Sequence, residues 1–155
     1  MTIKNIARGA LAAMAALSLA ACGINSVPAA EETAKAKWAD VEAQFQRRAN
    51  LIPNLVEVAQ GAAENERSIL TEVTEARARA TSVNVSAEDL NDPAKMESFA
   101  AAQGQLGQGI GRLLASFEAY PQIQSNQNYI ALQSQLEGTE NRIAVAIRDY
   151  NEAVR

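Results

Sequence analysis

Apolar side chains recur at alternating steps of three and four along most of this chain, the spacing that lines one face of an α-helix. The first run holds Trp38, Val41, Phe45, Arg48, Ile52, Leu55 and Ala59, and it resumes with Ile69, Val73, Ala76 and Ala80. It breaks in the polar stretch from Thr81 to Asp92, a predicted loop with one short turn at Ser86-Ala87-Glu88-Asp89. Asp92-Pro93 then predicts a helix start, because the Asp side chain accepts from free N–H groups and a proline at the first position wastes no donor. The second stripe is Met96, Phe99, Gln103, Leu106, Ile110, Leu113 and Phe117, closed by a Tyr120-Pro121 corner. The third is Tyr129, Leu132, Leu136, Ile143, Ile147, Tyr150 and Val154. It predicts one continuous helix from about Ser125 to Arg155, in which Gly138 costs about 1 kcal/mol relative to alanine.

Lengths turn these stripes into an architecture. The second and third helices reach roughly 40 and 45 Å, whereas an unbroken first helix from Thr33 to Thr81 would exceed about 70 Å. A kink near Pro53 resolves the mismatch, since proline removes one hydrogen bond and crowds the preceding turn. The expected fold is all-α, an antiparallel bundle of three to four long helices. On this reading Trp38, Val41 and Phe45 lie on an arm before Pro53 that either folds back or covers itself with a partner. The stripe still runs at Arg155, so the chain is expected to continue beyond it.

Composition supports helices over sheets. Apolar residues make up 48% of the 155 residues but aromatics only 5%, which leaves Ala, Leu, Ile and Val to build the core. The chain opens with Lys4 and Arg8, followed by small and apolar residues from Gly9 to Ala21 with no charge, the layout of a signal peptide over residues 1–21. As a helix that run spans roughly 20 Å, short of the ~30 Å hydrocarbon core. Leu19-Ala20-Ala21-Cys22-Gly23 resembles a lipoprotein cleavage and acylation site, and Cys22 is the chain's single cysteine. The resulting expectation is a palmitate-bearing lipid anchor at Cys22, a tether over 22–33, and a bundle over 34–155 on the extracytoplasmic face of the cell envelope. Gly23 after the cysteine leans towards the outer membrane in a cell with two.

The charge balance and the missing residue types narrow the chemistry. The net charge is −4 before any leader is removed, and loss of Lys4 and Arg8 makes it more negative, so a nucleic-acid partner is not expected. With no histidine, His-based triads and the Glu-x-x-His di-iron sites of helical bundles are absent. A cysteine consumed by the anchor leaves none for thiol catalysis or zinc. No enzyme site, cofactor or metal is expected. Gly104, Gly107, Gly109 and Gly111 lie inside a helical period with no strand before them and no Gly-Lys-Ser/Thr after, which predicts close helix approach in place of a phosphate loop.

Polar residues in the stripes carry more information. Arg48 occupies a core position, and Glu140, Asn141 and Arg142 interrupt the third stripe. One reading is a buried network joining Arg48, Asn50 or Asn54 with Glu118 or Glu140, which would fix helix register. The other has these charges reach the rim of the bundle on their long stems.

The stretches Trp38 to Phe45, Arg47-Arg48-Ala49-Asn50-Leu51-Ile52-Pro53-Asn54-Leu55-Val56, Glu75-Ala76-Arg77, Leu113 to Pro121 and Gly138 to Asn151 together resemble the LemA family of bacterial envelope proteins. The resemblance implies a long-helix antiparallel bundle held at a membrane by its N-terminus, with no established catalytic residues. It differs in the leader, where family members commonly carry a transmembrane helix, and in lacking the proline-containing tail that usually follows the Tyr-Asn pair. It also implies a setting near an envelope protease system. The functional expectation is a non-enzymatic scaffold or adaptor that binds a protein partner through Trp38, Val41 and Phe45. The alternative is a small-molecule or divalent-metal module using Glu118 and Glu140 with Asn141.

Overall fold

The first stripe begins in a helix that continues through its proline. In the computed structural model, which describes residues 26–60 and 66–155, α1 spans Ser26–Gln60 with Pro53 inside it. Next come α2 (Arg67–Ser82), α3 (Pro93–Ser116), the single turn α4 (Pro121–Gln124) and α5 (Gln127–Ala153). The described residues are helix and connecting turn, with no strand among them. The all-α bundle expected from the periodicity is therefore present, built on four long helices. The leader, Cys22 and the first part of the tether lie outside the described residues.

Two features of the first helix depart from expectation. The predicted tether is helical from Ser26, where alanine, glutamate and lysine supply helix propensity without an apolar stripe, and Lys35 pairs with Glu31 one turn back at 2.8 Å. Helix α1 also ends at Gln60 and not at Thr81, having continued through Pro53, and α2 begins at Arg67. Proline leaves the carbonyl four residues back without its helical donor. That carbonyl belongs to Ala49, and Arg77 of α2 donates to it from Nε at 2.8 Å. A side chain from the neighbouring helix thus fills the gap in the ladder.

This repair has a measurable consequence. Replacing Arg77 with methionine is expected to cost about 1–2 kcal/mol while Pro53 is present. In a Pro53→Ala background the restored N–H can serve Ala49, and the loss should shrink. Urea denaturation of the four proteins gives the coupling directly, and strictly additive losses would show that the arginine is not compensating for the proline.

The helices alternate in direction. Helices α2 and α3 run antiparallel, with Val73 against Gly109 and Ala80 meeting Gln103. Helices α1 and α5 do the same, with Trp38 beside Tyr150 near one end and Arg48 beside Glu140 further along. The loop before α3 carries the expected turn at Ala87–Asn91, capped reciprocally by Ser86 and Asp89. Asp92 caps α3 by accepting from the backbone N–H of Ala94 and Lys95 at 3.0 and 3.3 Å. Asn126 caps α5 in the same way, accepting from Asn128 and Tyr129. Helix α5 runs unbroken through Gly138, where an added Cβ would meet nothing within 4 Å. Gly138→Ala should therefore raise stability by about 0.5–1 kcal/mol in thermal or urea unfolding.

The core falls into two apolar clusters. The larger runs from Ala49 and Leu55 on α1 through Val73, Leu106 and Phe117 to Leu132 and Leu136. The smaller gathers Trp38, Val41, Val85, Phe99 and Ala146, with Phe45, Met96 and Tyr150 packed against it. Between the two in the order of every long helix that contributes a polar residue lies a layer of three: Arg48, Gln103 and Thr139, all buried.

Candidate functional site

The three polar residues of that layer arise from periods that are otherwise apolar. Arg48 is one step beyond Phe45 in the α1 stripe, and Gln103 is one step beyond Phe99 in the α3 stripe, so helical geometry brings them to the same level of the bundle. The Arg48 side chain is only 5% exposed. Its Nη2 donates to the Gln103 backbone carbonyl at 2.8 Å and to Gln103 Oε1 at 2.9 Å, while Nη1 donates to Glu140 Oε1 at 3.2 Å. Gln103 in turn donates from Nε2 to the Ala80 carbonyl at 3.2 Å, which ties α2 into the same layer. The guanidinium lies 5.0 Å from the centre of the Phe45 ring, a cation–π distance. Arg48 Nε has no acceptor among the described residues.

Above this layer an open groove follows α1 towards its N-terminus. Its floor is Trp38, Val41, Phe45 and Arg48, and its walls are Met96, Phe99, Ala100, Gln103 and Gly104 of α3 and Ile147, Tyr150 and Asn151 of α5. Its volume is about 390 Å³. The floor is rigid because aromatic rings meet edge to face: Trp38 with Phe99 at 5.4 Å, Trp38 with Tyr150 at 5.2 Å, and Phe45 with Phe99 at 5.3 Å. Trp38 Nε1 also donates to the buried carbonyl of Val85 at 2.8 Å, which latches the loop after α2 onto the same floor. The lining offers no carboxylate, thiol or imidazole, so the groove is suited to holding apolar side chains.

The sequence-derived site residues divide accordingly. Arg48 and Glu140 are brought together. Asn50 is exposed and pairs with Gln46 on its own helix, and Asn141 and Arg142 face solvent. Asn54 lines a separate polar cavity of about 520 Å³ with Glu57, Asn126, Asn128 and Gln135, at the opposite end of the bundle from the groove. Glu118 is exposed in the corner before α5, whereas Glu140 lies about 20 Å along that helix, so the two carboxylates do not share a site. Among the described residues no group of three or more acidic, His or Cys side chains could hold a metal ion.

The aromatic stripe is also not a free face. Trp38 and Val41 are buried in the chain's own bundle and Phe45 is half-buried, because α5, α3 and the Val85 loop cover them. What stays uncovered is the far end of the α5 stripe, with Ile147 38% and Val154 52% exposed. The glycines behave unevenly. At Gly109 and Gly107 an added Cβ would make ordinary contact, 3.5 Å from Val73 and from the Arg48 guanidinium respectively. Gly104 and Gly111 meet nothing within 4 Å. Gln103 and the α3 side of the groove were missed in the sequence. The available signal was an amide sitting inside an apolar period.

The chain is 30% identical over 145 residues to two magnetosome proteins, MamQ 1 and MamQ 2, of Paramagnetospirillum magneticum (strain ATCC 700264 / AMB-1), covering 83% of this chain and 53% of each relative. It is 29% identical over 136 residues to the magnetosome protein MamQ of Magnetospirillum gryphiswaldense (strain DSM 6361 / JCM 21280 / NBRC 15271 / MSR-1), covering 77% of this chain and 50% of that protein. The chain thus spans about half the length of these relatives. Residues 37–155, which include every helix lining the groove, match the LemA family, and the chain belongs to that family.

Proposed function

We propose that this chain is a non-catalytic scaffold of the cell envelope, held at a membrane through its N-terminus, that docks an apolar protein surface into the groove between α3 and α5. The observation that carries the reading is the groove itself, an apolar trough on a rigid aromatic floor at the end of the bundle from which the N-terminal segment leaves. Membership of the LemA family and likeness to proteins named as magnetosome proteins support the membrane setting. No described helix is long and apolar enough to cross a bilayer. The lipid anchor at Cys22 is the form of attachment that the leader favours.

Two measurements test the two halves. Metabolic labelling with palmitate should mark the wild-type chain and not Cys22→Ala, and an unlabelled wild type removes the lipid anchor. A photoactivatable side chain at Gly104, on the rim of the groove, should give adducts in intact cells, while the same probe at Gly138 should not. Equal yields at the two positions would remove the groove as a docking site.

A further inference from the structure

We infer that the polar cavity at the far end of the bundle binds a neutral saccharide, a short stretch of an uncharged glycan. The groove beside Trp38 has no part in this binding. Two helix faces form the cavity: Asn54, Glu57 and Val58 at positions i, i+3 and i+4 of α1, and Asn128, Leu132 and Gln135 at positions i, i+4 and i+7 of α5. The antiparallel register that sets Trp38 beside Tyr150 and Arg48 beside Glu140 carries these two faces opposite each other. The volume, about 520 Å³, lies within the range of small-molecule sites, about 300–1,000 Å³.

The hydrogen-bonding groups around the cavity are uncommitted. Among the described residues the side chains of Asn54, Glu57, Asn128 and Gln135 take part in no hydrogen bond or ion pair. Asn126 caps α5 through Oδ1, which accepts from the backbone N–H of Asn128 and Tyr129 at 2.9 and 3.4 Å. That bonding fixes the side chain and leaves its Nδ2 hydrogens without an acceptor among the described residues. Asn54 lies in the interior of α1, where asparagine is a poor helix former, and it gains no bond inside the chain in return.

The donor set selects the ligand class. A carboxamide both donates and accepts, as a sugar hydroxyl does, and the Glu57 carboxylate can accept from two hydroxyls at once. Val58 and Leu132 add a small apolar patch suited to the C–H face of a sugar ring. The lining holds one ionisable group and no cation, so it does not attract an anion, and it lacks the several carboxylates that hold a divalent ion. A peptide would call for free backbone groups to pair with, or for deep pockets for its side chains, and two helix faces supply neither. The surroundings continue the same chemistry: between Glu118 and Glu137 no residue is charged, and seven are Asn or Gln.

The test follows the side-chain amide signals of the isotope-labelled full chain by NMR, in a detergent whose headgroup is not a sugar. The trimer of N-acetylglucosamine, the glucose trimer maltotriose and a blocked trialanine are each titrated into the millimolar range. Saturable shifts at Asn54, Asn126, Asn128 and Gln135 are expected with at least one of the two trisaccharides and not with the peptide. The double variant Asn54→Ala/Gln135→Ala should weaken binding about tenfold, with circular dichroism and melting temperature confirming the fold, since alanine is the better helix former at both positions. Glu57→Gln, which keeps the shape and removes the charge, should also weaken it, by about threefold to tenfold. Absence of saturable shifts with both trisaccharides, equal shifts with the peptide, or unchanged affinity in these variants would overturn the assignment.

Discussion

Trp38→Ala is expected to lower stability by about 3–5 kcal/mol, the largest single loss available in the smaller core cluster. The indole is buried, touches Phe99 and Tyr150 edge to face, and bonds the Val85 carbonyl through Nε1, so alanine opens a cavity and frees the loop after α2 together. Trp38→Phe separates these effects. It keeps an aromatic ring on the floor but loses the bond to Val85, and its expected cost is about 1–2 kcal/mol. Urea titration with tryptophan-independent detection by circular dichroism measures both. A Trp38→Ala protein that melts like the wild type would show that the residue is not core, and would return the stripe to the status of a free docking face.

Arg48→Ala is the second large effect, at about 2–4 kcal/mol. The origin of that loss is specific. The bonds to the two Gln103 oxygens are buried, and their removal leaves an amide oxygen without a donor inside the core. The contact with Glu140 contributes less, because that carboxylate is 51% exposed and water screens it. Glu140→Gln should therefore cost less than about 1 kcal/mol, and the Arg48/Glu140 double-mutant cycle should return a coupling of about 0.5–1 kcal/mol. Arg48→Lys should not rescue the alanine variant fully, since an ammonium cannot reach Gln103 and Glu140 as a planar fork does. A coupling above about 2 kcal/mol would assign the anchoring role to the ion pair instead of the amide.

Much of the fold is written in local pattern. Three-and-four spacing marks the buried faces, and Asp92 and the Tyr120-Pro121 corner announce their turns because caps and prolines act on adjacent residues. Arg48 announces itself as the one cation in an apolar stripe. What escapes such reading is whatever depends on a distant segment. Nothing near Pro53 reveals that Arg77 will serve the Ala49 carbonyl, so a local view sees only the hydrogen bond that the proline removes. Periodicity also tells which face of a helix is apolar and not whether a neighbour covers it. The cover over Trp38 comes from Val85 and Tyr150, far along the chain, while Ile147 and Val154, with the same periodic credentials, remain in solvent. The Ser26 end shows the reverse case, a helix held by residue preference and side-chain pairing with no stripe to announce it.

The polar layer at Arg48 also sets how the molecule comes apart. Because it stands between the cluster around Trp38 and the cluster around Leu55, the two ends are expected to open as separate units. Amide protons near Val41 and Phe99 should exchange through a partial opening that leaves those near Leu55 and Leu106 protected, so the bundle would fray from its Trp38 end while the other half stays intact.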